Sequence, residues 1–583
     1  MDGLAGRIAH LAIDGMVQAG LPVFGKGRLL GVRGQGADTW ECLLALPYAP
    51  DLAKPCFEAL AWATRCVWTL IDRGCSPETQ GLVLAQQAAL IKELGTKRQK
   101  GTNTLRFLGA AHEAGIPWNP VANLYHQYGW GARQVWANSS ILDTTSGLAV
   151  TLARNKQACA LVLRRAGLPV PDHGLAKNLE EARGIAERLG YPVVIKPVNL
   201  DGGVGVAAGL QNVEQLEQAW AKTILHSNSI LVEKHQPGED YRLIVFNGRL
   251  VWAVGRQPAG VTGDGGLSIA ELVARANLDP RRGYHATATL RPLSLDEEAL
   301  DLLAEDGYSA ATVLPAGQFA RLRRASNLSS GGLPVVVTDQ VHPDNRSLVE
   351  RAASLLRLDL AGVDLIVPDI TVSWRNSGGG IIEVNAQPQL VAASQSHLYR
   401  TILEARVTGR GRIPVVAFVG RDALAIAEGV LQGLGDLRPV TGLASRKGLW
   451  LGEEFVGRAG LSPFAAGRGM LLQRETEALL IVVDDDSLLR TGLPCDAYDA
   501  LVVAHPHEGP EANVAWLPRS LEMILDNCVG DVVLSNQGLA HALQKMGVRF
   551  PKTLRVMPNA EEMMGLVARQ VADLAAALTK RNG

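Results

Sequence analysis

A lysine that closes a run of branched apolar residues, and three oxygen-bearing side chains on two further apolar runs, have the spacing from which chemistry can be built. Val193-Val194-Ile195 delivers Lys196, and Asp201-Gly202-Gly203-Val204-Gly205-Val206 follows. A buried strand fixes the ammonium where it can meet a phosphate, and Gly202, Gly203 and Gly205 let backbone N–H groups close over an anion without side-chain obstruction. Taken alone the loop is a weak signal, since glycines more often mark turns. Further on, Gly362-Val363-Asp364-Leu365 and Ile382-Glu383-Val384-Asn385 carry Asp364, Glu383 and Asn385. Alternation puts Glu383 and Asn385 on one face of a strand, and a neighbouring strand can bring Asp364 alongside. Such a set suits Mg²⁺ bridging the phosphates of ATP, whereas acidic residues on apolar strands are costly to bury without a cation. The bland alternative is a set of satisfied polar residues at strand ends. Between these pieces stand Leu231-Val232-Glu233-Lys234-His235 and Gly238-Glu239-Asp240-Tyr241-Arg242. The strand end at Glu233 and Lys234 can offer backbone groups to adenine, and Asp240 can accept hydrogen bonds from ribose hydroxyls. By itself this segment reads equally well as an acidic surface turn.

The elements that position these groups follow from periodicity. Residues 155–166 read as a helix stopped by Gly167-Leu168-Pro169, and 179–189 as another ended by Gly190. Strands are expected over 192–195, 229–232, 242–246, 250–254, 335–337, 362–367 and 381–384. Before about 150 short apolar runs broken by glycines precede helices over 57–71 and 79–94, a small α/β unit with no catalytic spacing. Its tryptophans (Trp40, Trp62, Trp68, Trp118, Trp130, Trp136) read as core rather than binding platform. After about 411 a third α/β segment opens at Ile413-Pro414-Val415-Val416-Ala417-Phe418-Val419-Gly420.

Composition narrows the class. A chain of 583 residues exceeds one core, so about three or four domains are expected. With 47% hydrophobic and 20% charged residues it is an ordinary globular chain. A formal net charge of -1 supplies no field to gather nucleic acid or an anionic membrane. The run Lys97-Arg98-Gln99-Lys100 reads as a solvated loop. No basic leader, no apolar stretch of roughly 18 residues and an odd set of 7 cysteines without C-x-x-C spacing point to a cytoplasmic protein with reduced, mostly buried thiols.

Taken together, Lys196, the glycine loop, Glu233, Asp240 and the Asp364, Glu383, Asn385 set resemble the ATP-grasp ligases. The stretches Ala320-Arg321-Leu322-Arg323-Arg324-Ala325-Ser326-Asn327-Leu328-Ser329-Ser330-Gly331-Gly332 and Thr338-Asp339-Gln340-Val341-His342-Pro343-Asp344-Asn345 look like the long signature of cyanophycin synthetases, as do Gly263-Asp264-Gly265 and Asn277-Leu278-Asp279-Pro280-Arg281-Arg282-Gly283. The likeness covers essentially the whole chain, most strongly from about 130 to 390. It implies an α/β multidomain fold: a small N-terminal α/β domain over 1–150, for which polymer binding is an open role, an ATP-grasp ligase domain over 151–410, and a degenerate, truncated Mur-ligase-like doubly wound domain over 411–583. It implies that Lys156 and Lys196 hold phosphates, that Asp364, Glu383 and Asn385 hold Mg²⁺, and that Arg323, Arg324 and the loop Ser329-Ser330-Gly331-Gly332 position an acceptor carboxylate and its acyl phosphate. Two departures stand out. Gly202 and Val204 replace a histidine and an arginine usual in the family's glycine loop, and Ala386-Gln387-Pro388-Gln389 lacks a common glycine after the proline.

In that family a second, Mur-like site begins with a strand and the P-loop T-G-T-N-G-K-T-T. Here the stretch is Val419-Gly420-Arg421-Asp422-Ala423-Leu424-Ala425-Ile426, with Leu424 at the lysine. Lysine and hydroxyl are missing, and so is the glycine needed for close phosphate approach. Val482 stands where the family has its catalytic acid, and Asp484-Asp485-Asp486 reads as a solvated strand end rather than a metal site. The resemblance is therefore to the second type of cyanophycin synthetase, which joins β-aspartyl-arginine dipeptides into polymer at a single ATP-grasp site. It implies ATP and Mg²⁺ as cofactors, a peptide polymer or primer and β-Asp-Arg as substrates, and a homo-oligomer. Two other functions remain open: a ligase adding another amino acid or dipeptide to a small acceptor, and a non-catalytic polymer-binding partner of a full synthetase.

Overall fold

The computed structural model describes residues 2–34, 39–47, 53–98, 101–198, 205–283, 288, 290–323, 331–390, 396–434, 439–506, 516–550 and 553–580. Two compact units emerge, one of Ser139–Leu398 and one of Met1–Asn138 together with Tyr399–Gly583.

The unit 139–398 is built on two antiparallel sheets. The first has the order His173–Ala176, Ile230–Lys234, Val193–Pro197, Ala207–Leu210. Val193 and Ile195 turn into a core with Ala176, Leu216, Trp220, Ile230 and Val232, so alternation turns Val194 and Lys196 to the opposite face. The helices Leu179–Leu189 and Val213–Thr223 start where Asn178 and Asn212 accept from the backbone N–H groups of Glu181 and Gln215, satisfying donors that the first turn leaves open. The second sheet has the order Leu333–Val336, Arg249–Gln257, Glu239–Phe246, Leu360–Val367, Gly380–Asn385. Its apolar face packs on the helix Pro343–Leu355 through Leu348, Val349, Ala352 and Ala353.

Between the strands Arg249–Gln257 and Leu333–Val336 an insert folds on its own core of Val261, Ile269, Leu272, Leu303, Leu314 and Ala320. Its strands Gly260–Thr262 and Phe319–Arg321 pair antiparallel. The helix Ile269–Ala276 opens with a reciprocal cap in which Ser268 and Glu271 bond each other's backbone N–H.

In the other unit, helices Asp2–Gln18, Ala53–Arg73 and Pro77–Gly95 surround Ala12, Met16, Ala59, Trp62, Ala63 and Leu94. The first helix was not among the sequence expectations. Its buried stripe is mostly small, with Ala5, Ala9, Ala12 and Met16, and three glycines dilute its apolar period. Gly15 sits so close to the neighbouring helix that a Cβ there would lie 3.3 Å from the Trp62 ring. The tryptophan expectation needs correction: Trp62 and Trp130 are 2% exposed, but Trp40 and Trp68 are 48% and 49% exposed. Trp68 occupies the outward side of its helix, where no core is available to it.

The C-terminal sheet has the order Glu454–Gly457, Gly448–Leu451, Thr441–Ser445, Ala478–Val483, Val415–Val419, Tyr498–Val503, Cys528–Leu534, Leu554–Val556. From Thr441–Ser445 onward all neighbours are parallel. Val415, Ala417 and Val419 enter one core while Val416 and Phe418 enter another, so both faces are covered, as a doubly wound sheet requires. The cysteines of the described chain are free thiols, with Cys56, Cys66, Cys159 and Cys495 buried. Lys97 and Arg98 are exposed, while Gln99 and Lys100 lie outside the described residues. Among the described residues no helix is long and apolar enough to cross a membrane.

Candidate active site

The helix Lys156–Arg165 is capped by Asn155, whose side chain accepts from the Ala158 N–H, so Lys156 is its first residue. A cation at a helix N-terminus opposes the macrodipole, which argues that Lys156 is placed there for what it faces. Its Nζ lies 3.5 Å from Glu383 Oε1, on the edge strand Gly380–Asn385. On the first sheet Lys196 Nζ lies 2.6 Å from Glu233 Oε2, and the two side chains are 11% and 9% exposed. Lys156, Glu233 and Glu383 line one narrow cleft, whose walls include Leu163, Val170 and Ile382. Apolar walls with a few converging charged groups have the chemical character of a small-molecule site.

Asp364 is the register partner of Glu383, and Asn385 pairs with Gly362 on the same two strands. Cross-strand partners share a face, so two carboxylates and a carboxamide converge. A Cβ on Gly362 would meet Pro388 Cβ at 2.7 Å, which explains why the position opposite Asn385 has no side chain. These hard oxygen donors fit a divalent cation of the Mg²⁺ type. The buried Nδ2 of Asn385 has no acceptor among the described residues, leaving a polar group open where an anionic ligand would supply one. Among the described residues no group of three or more His, Cys, Asp or Glu comes together; the proposed set differs in using an amide.

Arg242 and Arg256, to which the sequence alone assigns no role, enter the same place. Arg242 Nε donates to Asp364 Oδ1 and its Nη2 to Oδ2 at 2.9 Å. Arg256 bridges two carboxylates, with Nη1 3.2 Å from Asp240 Oδ2 and Nη2 3.2 Å from Asp364 Oδ1. Burial pushes the Asp364 carboxyl upward, but Arg242 and Arg256 outweigh it and hold it below the usual carboxylate range. At Asp240 burial wins, reinforced by Asp364 and opposed by Arg256, and its carboxyl is raised. Burial disfavours the Arg256 cation, yet Asp364 and Asp240 reverse that and raise it. The network is thus a strongly coupled, buried patch of alternating charge. Alternation could have found Arg242, since Asp240 and Arg242 share a face of one strand. His173, which also lines the cleft, left no signal.

Lys234 Nζ donates to the carbonyls of Gly190 and Tyr191 at 2.8 and 3.1 Å, and its backbone N–H donates to Asp172 O at 2.8 Å. Arg323 lies in the insert, with Nη2 2.6 Å from both Asp296 Oδ2 and Ser294 Oγ, where it braces the start of the helix Glu297–Glu305. Gly331 carries a carbonyl that accepts from Arg282 Nη1 at 3.4 Å, and Gly332 follows it toward the strand Leu333–Val336. Gly205 has φ +70 and would place a Cβ 3.0 Å from Pro197 Cγ, which favours glycine there. Gly202, Gly203, Arg324, Ser329 and Ser330 lie outside the described residues.

Residues 153–281 match the model of the RimK-like ATP-grasp domain. A cyanophycin synthetase of Geminocystis herdmanii is 32% identical over 523 residues, covering 86% of this chain and 58% of that protein. The chain is a relative of the cyanophycin synthetases. It spans 58% of the length of this relative and half the length of that from Trichormus variabilis, which is 31% identical over 76% of the chain and 50% of its own length. The glutathione biosynthesis bifunctional protein GshAB of Streptococcus mutans is 32% identical over 243 residues, 40% of this chain and 32% of that one.

In this cyanophycin synthetase relative the doubly wound sheet offers little to a phosphate. Gly420, at φ +122, follows the strand Val415–Val419, and its N–H donates to Val483 O at 2.9 Å. The next N–H groups, of Arg421 and Asp422, donate to His505 Nδ1 at 3.3 Å and Ala504 O at 3.1 Å. A phosphate nest needs such groups turned outward. Leu424 instead packs beside a hydrophobic core. At the end of Ala478–Val483, Asp484 lies 3.5 Å from Arg446 Nε, Asp485 pairs with the same guanidinium, and Asp486 lies 3.5 Å from Arg490.

Proposed function

We propose that the chain is an ATP-dependent carboxylate–amine ligase that extends a peptide polymer by β-aspartyl-arginine dipeptides at one ATP-grasp site, as a cytoplasmic homo-oligomer with domains near 1–150, 151–410 and 411–583. One observation carries this reading. Lys156 meets Glu383, Glu383 stands opposite Asp364 across the strand pair, and Glu233, which pairs with Lys196, lines the same cleft as Lys156 and Glu383.

The chemistry needs no protein nucleophile. A substrate carboxylate oxygen attacks the γ-phosphorus of ATP and ADP leaves; the incoming amine then attacks the acyl carbon, phosphate leaves, and the amine loses a proton. Negative charge gathers in the first step, and preplaced cations stabilise it without reorganising. Lys156 and Lys196 hold and orient the phosphates, and the apolar walls exclude water from the base. Asp364, Glu383 and Asn385 would hold Mg²⁺, which supplies charge neutralisation when bound. Asp240 would bind the ribose with Arg256 fixing its carboxylate. Arg323, Arg324 and residues 329–332 would hold the acceptor at the insert.

The test is incubation of pure protein with ATP, Mg²⁺, a polymer primer and either β-Asp-Arg or free aspartate plus arginine. Polymer growth with the dipeptide alone is expected, and growth only with the free amino acids refutes the proposal. The likeness to the glutathione biosynthesis protein favours a second reading, a ligase with the same site that adds another amino acid or dipeptide to a small acceptor. ADP release across a panel of donors and acceptors separates the two.

A further inference from the structure

The C-terminal sheet ends in the short strand Leu554–Val556, which pairs with Cys528–Leu534 on one side and has no neighbour on the other among the described residues. Just past it, the Met557 N–H donates to Leu534 O at 2.9 Å. Backbone groups alternate in direction along a strand, so the N–H and C=O of Leu554 and Val556 turn to the open edge. Arg555 and Met557, on the strand side, and Glu561, Glu562, Leu566 and Arg569 of the helix Ala560–Lys580 line an open groove of about 700 Å³. Both signs of charge face this one space. Arg555 lies 3.0 Å from Asp531 Oδ2, whereas the side chains of Glu561, Glu562 and Arg569 have no ion-pair partner among the described residues. Gly565 stands one turn from both Glu561 and Arg569, in a helix interior where glycine is unfavourable. A Cβ there would meet nothing nearer than Arg569 Nη1 at 3.9 Å. Packing of the helix does not require the gap; a ligand passing between the carboxylates and the guanidinium does.

We propose that this groove holds an extended stretch of the β-aspartyl-arginine polymer, at a site of its own apart from the one where the polymer is lengthened; the choice of occupant rests on the ligase reading above. Joined through their aspartate α-amino and α-carboxyl groups, such dipeptides give a peptide backbone whose arms each end in a free carboxylate and a guanidinium. The backbone pairs with the outward N–H and C=O groups of Leu554 and Val556, as an added strand docks on an exposed sheet edge. Arms on the helix side bring guanidinium to Glu561 and Glu562 and carboxylate to Arg555 and Arg569. Gly565 leaves them room, and Met557 and Leu566 cover their methylene stems. A purely anionic ligand would meet Glu561 and Glu562, and a purely cationic one Arg555 and Arg569. A zwitterionic repeat is the occupant that leaves neither pair facing its own sign. Polymer held here stays with the protein between additions, which raises the effective concentration of its end at the active site. A primer of two repeats occupies one site at a time and gains nothing from the groove.

Two measurements on the full chain test this: fluorescence anisotropy of a labelled oligomer of eight β-Asp-Arg repeats, and ADP release with primers of two and of eight repeats. Glu562→Arg, Arg569→Glu and Gly565→Gln each weaken binding of the eight-repeat oligomer at least about tenfold and raise its KM in step, by misplaced charge or by filling the gap. For the two-repeat primer kcat and KM stay within about twofold of wild type, because no tethering is lost. Val556→Pro acts in the same direction, removing an outward N–H while the existing ladder keeps its own. Gly565→Gln favours the helix, so its effect is not one of misfolding, and unchanged circular dichroism verifies the others. Oligomer binding that is indifferent to Gly565→Gln and to both charge variants overturns the proposal. So does a wild type that binds poly-aspartate or poly-arginine as tightly as the oligomer, or variants that impair the two-repeat primer as much as the long one. Groove-dependent binding of the oligomer with no growth of either primer upholds the groove and removes the ligase reading instead.

Discussion

Arg256 is the position where removing one charge tests the electrostatic reading of the active site. Its guanidinium lies between Asp240 and Asp364, and the side chains of the three are 13%, 29% and 10% exposed. At about 4 Å and an effective dielectric near 20, each attraction is worth about 4 kcal/mol before solvation is subtracted. Replacing one partner of a buried pair leaves the other charge uncompensated and costs about 3–5 kcal/mol. Arg256→Leu is therefore expected to lower the stability of the sheet around it by about that amount. Asp240→Asn should cost far less, about 1 kcal/mol. The amide still accepts from Arg256, which keeps Asp364 as its counter-ion, and burial already lifts the Asp240 carboxyl. Because the chain holds two compact units, a single unfolding transition would not assign the loss. Hydrogen exchange of the strands Glu239–Phe246 and Leu360–Val367 along a urea series reads it locally. If Arg256→Leu costs no more than Asp240→Asn, the bridge is not the element that makes these carboxylates tolerable.

Lys196→Met should lower ATP turnover by at least about 10²-fold, the usual loss when a preplaced donor to developing charge is removed, with circular dichroism unchanged; near-normal turnover refutes its phosphate role. Glu383→Gln should raise the Mg²⁺ concentration needed for half-maximal turnover, and an unchanged Mg²⁺ titration removes Glu383 from the cation set. Gly362→Ala should act in the same direction, since its Cβ would press on Pro388 and on Arg242; wild-type Mg²⁺ dependence would show that the strand accommodates it. Leu424→Ala should leave ATP turnover as it is, and a large rate loss at normal stability would mean that the C-terminal sheet handles nucleotide.

The sequence was most legible where one strand has one polar face. Lys196 and Glu383 sit among branched apolar residues, so their types stand out, and alternation alone predicts which strand face carries each. Arg256 was illegible because its meaning is relational. It ends a strand in Val254-Gly255-Arg256-Gln257, a common way for a strand to reach solvent, and only the pairing of Arg249–Gln257 with Glu239–Phe246 turns it toward Asp240 and Asp364. Lys234 is relational in the same way. The sequence places it beside Glu233, and only the fold shows that its N–H donates to Asp172 and its ammonium to the loop at Gly190 and Tyr191.

The same distinction explains the two glycine turns. At Gly205 the left-handed φ and the closeness of Pro197 follow a strand that carries Lys196 one residue before its end. At Gly420 the left-handed φ serves the sheet, because a Cβ would lie 2.2 Å from Ala504 O and the turn's N–H groups are spent on neighbouring strands. A glycine after a parallel strand marks only that backbone passes close by. What separates an anion site from a structural crossing is where the following N–H groups point and whether a cation accompanies them, and Leu424 in place of a lysine gives the second answer before the first is known.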